Sequence, residues 1–100
     1  MAKILLLWDY DADMIECPQD IADNVYKYQH EFDLWLYSPD SKHDCLTTDS
    51  EGNLAFCFDG ETFLNWLNTT VLANSEEKAR FIKRGFVPDK SEMELVRINF

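Results

Sequence analysis

Five apolar residues in succession, Ile4-Leu5-Leu6-Leu7-Trp8, run directly into Asp9-Tyr10-Asp11-Ala12-Asp13. A short unbroken apolar run closed by polar residues predicts a strand buried on both faces, so the fold has to supply cover on either side of it. If extended backbone continues beyond Trp8, period-two spacing sets Asp9, Asp11 and Asp13 along one side. The innermost strand would then lead straight into negative charge. Material for the cover is present. Of 100 residues, 46% are apolar and 14% aromatic, enough for one domain with a real core and too much for a disordered chain.

After this strand, residues 13–18 read as a connection, with Pro18 suited to the first turn of a helix. Ile21, Ala22, Val25, Tyr26 and Tyr28 fall on one stripe of a helix over 19–30. The β-formers of Asp33-Leu34-Trp35-Leu36-Tyr37 favour a strand, and a helix continuing through Trp35 is the alternative. Residues 38–44 form a polar loop. Residues 45–48 and 54–58 then read as a hairpin turning at Gly52-Asn53, and the apolar character of both faces predicts that its second strand lies inside the sheet. Asp59 is placed to cap a helix over 60–72, and Ser75 to cap another that Gly85 terminates. Leu95 to Phe100 predicts a closing strand. No repeat, low-complexity segment or linker interrupts the chain, so residues 1–100 read as a single acidic domain. The expected fold is α/β or α+β, two layers, with a mixed sheet of about four or five strands and about three helices.

Charge excludes more than any motif does. Residues 1–60 hold 13 Asp or Glu against 3 Lys or Arg, a net of −10, while residues 61–100 hold 6 of each. Non-specific binding to nucleic acid or to an anionic membrane is disfavoured, because both surfaces repel such a chain. A basic protein would be attracted and steered. The longest apolar run has five residues and no cationic segment precedes an apolar one, so neither a signal peptide nor a membrane helix is expected. Cys17, Cys45 and Cys57 are odd in number, widely spaced and without a CxxC pair, which suits reduced thiols and a cytoplasmic setting. Asn68-Thr69-Thr70 matches a glycosylation sequon, which without a secretion signal reads as chance.

No catalytic set, metal site or cofactor site stands out. Cys17, His30, His43 and Cys45 lack the usual zinc spacings, and Cys57 in an apolar strand reads as an inert buried thiol. A strand ending in Asp9-Tyr10-Asp11 resembles the haloacid-dehalogenase-like phosphatases, which implies an Asp nucleophile, an Asp acid/base and Mg²⁺. Asp13 stands where that pattern expects Thr or Val, and its later lysine and magnesium-binding acids find no match. Carboxylates interleaved with aromatic residues fit a protein interface better. The expected partner-binding residues are Asp9, Tyr10, Asp11, Asp13, Glu16, Asp20, Asp23, Asp33 and Tyr37.

In size, acidity and the segments Asp59-Gly60-Glu61-Thr62-Phe63-Leu64-Asn65-Trp66-Leu67-Asn68 and Ser75-Glu76-Glu77-Lys78-Ala79, the chain is similar to small cytoplasmic immunity proteins. These belong to bacterial contact-dependent growth inhibition and related polymorphic-toxin systems. The resemblance implies tight binding to the toxin domain of a cognate protein, often a basic nuclease, and no catalysis. It assigns no interface residue, because the family shares no fixed functional motif. A different acidic inhibitor, such as a phage nucleic-acid mimic, is the nearest rival. A small Mg²⁺-dependent enzyme using Asp9 and Asp11 stands behind it.

Overall fold

The computed structural model describes residues 1–38, 46–48, 51–52, 54–56 and 58–100, with 46–48 and 54–56 as backbone alone. Ile4 to Leu6 are buried in β1 (Ala2–Leu7), which lies between β2 (Ala12–Cys17) and β6 (Val96–Asn99). Among the described residues the sheet has four strands in the order β5-β2-β1-β6, with β5 running from Arg80 to Phe86. β1 pairs with β6 in parallel and with β2 antiparallel, and β2 with β5 antiparallel, so the sheet is mixed.

Both faces of β1 find their cover. On one face Ile4, Leu6, Ile15, Cys17 and Ile98 pack under three helices: α1 (Gln19–Asp23), α2 (Val25–Tyr37) and α3 (Gly60–Trp66). Phe32 of α2 sits at the centre of an aromatic cluster with Phe58, Phe63, Trp66 and Phe100. On the other face, Leu5 and Met14 are buried. There the connection from β5 to β6, with a 3-10 turn at Glu92–Glu94, brings Ser91, Glu92 and Leu95 beside Lys3, Met14 and Lys83. The molecule is an α+β domain, and no helix among the described residues is long and apolar enough to cross a membrane.

Several sequence expectations need correction. Extended backbone does not continue past Trp8. The Trp8 amide donates to the Asp11 carbonyl at 2.9 Å, closing a turn that folds β2 back onto β1, where a connection over 13–18 is expected. Asp9 and Asp11 therefore stay on the exposed turn while Asp13 enters β2. Residues 33–37 continue α2, because Val25, Tyr28, Phe32 and Leu36 form one buried helical stripe. The hairpin of β3 (Leu46–Thr48) and β4 (Leu54–Phe56) is present, but as a separate two-stranded sheet and not inside the main one. Cys45, Cys57, His43 and the loop over 39–44 lie outside the described residues.

The largest difference is at 80–86, a strand where a helix is expected. Phe81 pairs with Ile15 and Arg80 with Glu16, and this ladder overrides a charge pattern that suits a helix. Ahead of it, α3 runs into a π-turn over Leu67–Val71, where the Thr69 hydroxyl donates to the Asn65 carbonyl at 2.7 Å. Asn68 next to it, the sequon residue, is structural. Its amide donates to the Ala79 carbonyl at 2.9 Å and accepts from the Ala79 amide at 2.8 Å, which fixes where β5 begins.

Candidate functional site

The register of β2 against β5 slips at the point that matters most. Ala12 pairs with Phe86 and Met14 with Lys83, so two residues, Arg84 and Gly85, stand opposite the single residue Asp13. Such a bulge kinks the strand and re-aims its groups. Gly85 takes a φ of +60°, open to glycine at little cost, and its amide donates to Asp13 Oδ1 at 2.9 Å. Asp13 Oδ2 accepts from the Trp8 indole Nε1 at 3.1 Å, and Arg84 Nε stands 3.8 Å from Oδ1. Asp13 is 5% exposed, so its charge is held inside by two donors and a nearby guanidinium. Gly60 completes the enclosure. A Cβ there would overlap Asp13 Oδ2, so only glycine lets the start of α3 come this close.

The same junction leaves an open cleft of about 540 Å³, lined by Trp8, Asp11, Asp13, Phe58, Asp59, Arg84 and Gly85. Trp8 is braced by stacking on Phe100 at 4.5 Å and by the edge of Phe58 at 5.9 Å. Asp59 caps α3. Its Oδ1 accepts from the Thr62 amide at 3.2 Å, which leaves Oδ2 toward Arg84 at 3.8 Å. Arg84 also stands 3.8 Å from Glu61 and lies 4.2 Å over the Phe81 ring. Beside the cleft the turn holds out Asp9, Tyr10 and Asp11, and Tyr10 is 95% exposed.

The nine expected partner-binding residues do not form one surface. Asp9, Tyr10 and Asp11 make the turn, and Asp13 is buried behind it at the wall of the cleft, its oxygens taken by the Trp8 indole and the Gly85 amide. Glu16 pairs with Lys3 across β1 and β2 and is bridged by Arg80, five residues further along the strand, or about 16 Å from the turn. Asp20 accepts from the Tyr28 hydroxyl at 3.2 Å, and Asp23 from Gln19 at 2.9 Å. These three acids belong to the opposite end of the sheet, beyond the screening length of physiological salt. Burial and the Asp20 carboxylate together hold the Tyr28 hydroxyl above its ordinary pKa. Asp33 and Tyr37 lie on the later turns of α2. That helix runs from Val25 beside Val96 to Phe32 against Phe100, which points its last turns toward the cleft end.

Sequence reasoning missed the role of Asp59, Glu61, Arg84 and Gly85 at this end. Asp59 was legible as a helix cap, but nothing local in Arg84-Gly85 signals a bulge facing Asp13. The Cys17 thiol is fully buried, and burial pushes its pKa up to about 11, which suppresses nucleophilic chemistry. Among the described residues no group of three or more His, Cys, Asp or Glu could hold a metal ion. Compared with known proteins, the chain matches no family model, no curated protein and no solved structure.

Proposed function

We propose that the protein is an immunity protein, which binds the basic toxin domain of a cognate bacterial toxin in the cytoplasm and blocks it by charge-complementary docking. The observation that carries the reading is Tyr10, 95% exposed on a tight turn between Asp9 and Asp11 and beside a cleft whose rim adds Asp59. A large ring held in solvent and flanked by carboxylates is the composition of an interface with an aromatic anchor and steering charge. The net charge of −10 speaks against nucleic acid and anionic lipid as partners. A basic nuclease keeps its substrate groove cationic, and an acidic end seated there would both neutralise and obstruct it.

The test is affinity capture followed by an activity assay. The tagged protein is exposed at low salt to the toxin domain encoded beside its gene, and the salt is raised. Retention at physiological salt, with loss of the toxin's activity in the complex, is the expected result. Elution by modest salt together with an active toxin contradicts the proposal.

A further inference from the structure

We infer that the cleft beside Trp8 receives a guanidinium side chain, presented by the protein that docks on this end. The proposal rests on the immunity reading only for the source of that side chain. Among the described residues lining the cleft, Asp11, Asp13 and Asp59 face one cation, Arg84, so an anionic ligand is disfavoured and a cationic one favoured.

The form of the cation follows from Arg84 itself. Its guanidinium lies 4.2 Å over the Phe81 ring, and its nearest approaches to Asp13, Asp59 and Glu61 are each 3.8 Å. Charge-assisted hydrogen bonds run about 2.7–2.9 Å, so Arg84 neutralises these carboxylates loosely and saturates none of them. The junction thus already accommodates one planar cation between an aromatic face and acids. It keeps about 540 Å³ open alongside, bounded by the rings of Trp8 and Phe58. A second guanidinium could stack on aromatic surface and bond Asp11 and Asp59 through its planar fork. An ammonium group is compact and strongly hydrated, and gains less from such walls. Arg84 would act as an internal competitor, and its removal should strengthen the site.

The experiment is a two-dimensional amide NMR titration of the full chain with N-acetylarginine amide. N-acetyllysine amide and sodium chloride at matched ionic strength serve as controls. The expected result is a saturating shift of the Trp8 indole N–H and the Gly85 amide with the arginine probe alone. The shift is lost in the double variant Asp11→Asn and Asp59→Asn, in which Asn can still cap α3. Arg84→Met should tighten the probe roughly fivefold, the order expected on removing a neighbouring like charge near a protein surface. Equal shifts with sodium chloride or with the lysine probe overturn the assignment, as does weaker binding in a folded Arg84→Met variant. If the probe binds while no toxin is neutralised, the cleft stands and the immunity reading falls. If a toxin is neutralised while the Trp8 signal ignores the probe, the cleft falls and the immunity reading stands.

Discussion

Asp13 and the pair Asp9 and Asp11 are the same side chain within five positions of sequence, and the fold gives them opposite work. Asp13 is 5% exposed and bound by the Trp8 indole, the Gly85 amide and the charge of Arg84. Asp9 and Asp11 stand in solvent on the turn before it. One carboxylate ties β2 to Trp8 and to the β5 bulge under the start of α3, while the other two face solvent. An acidic run in sequence is therefore not an acidic surface. Strand polarity and the position of the turn decide which charges reach solvent.

The sharpest way to break this contrast is at its buried side. Asp13→Ala leaves two inward donors and Arg84 without their acceptor, and should cost about 3 kcal/mol of stability in urea unfolding. Asp13→Asn, which keeps one acceptor oxygen, should lose less. Gly60→Ala comes next. Its methyl would overlap Asp13 Oδ2, and moving either group should cost about 1–3 kcal/mol, read from the same unfolding curves.

On the exposed side the effects should fall on binding alone. If the proposed toxin partner docks here, Tyr10→Ala should weaken its binding by about 2 kcal/mol in calorimetry and leave unfolding within about 0.5 kcal/mol of the parent. Asp9→Lys with Asp11→Lys should slow association about tenfold at low salt, with the difference shrinking as salt is added in stopped-flow measurements.

The smallest effect belongs to a pair on the other face of the sheet, beside Met14. Lys83 donates to Glu92 at 2.7 Å, and that bond, with the Asp89 amide, holds the Glu92 carboxyl below its ordinary value. A depressed carboxyl contributes stability above the unfolded pKa and loses it as pH falls through the folded one. The melting temperatures of the parent and Glu92→Gln should therefore differ slightly at neutral pH and converge below the ordinary glutamate value of 4.5.

What could be read from sequence follows the range of the interactions. The Asp59 cap of α3 and the pairing of 46–48 with 54–56 are set by neighbours close in the chain, while β1 and β6, although they pair with each other across the whole chain, show in their own apolar runs, and each was legible. β5 was not. Its Lys83 and Arg84 complement a helix dipole on paper, but Phe81 and Arg80 find Ile15 and Glu16 more than sixty positions away. The same distance hid the site. Trp8 and Asp13 are near in sequence, whereas Gly60 and Arg84 join them only because α3 and the bulged strand converge there. Acids made β2 resemble a loop, although Ile15 and Cys17 face the core and Met14 the opposite side of the sheet.

The most direct test of the central claim puts two variants through the same pair of assays. Thermal unfolding and affinity for the proposed toxin partner are measured for Asp13→Ala and for Asp9→Lys with Asp11→Lys. The account expects the first to melt well below the parent, and the second to melt with the parent but bind weakly and with a flattened salt dependence. A turn variant that binds the proposed toxin partner as the parent does, or an Asp13 variant that melts unchanged, would contradict the division of labour between the buried carboxylate and the exposed pair.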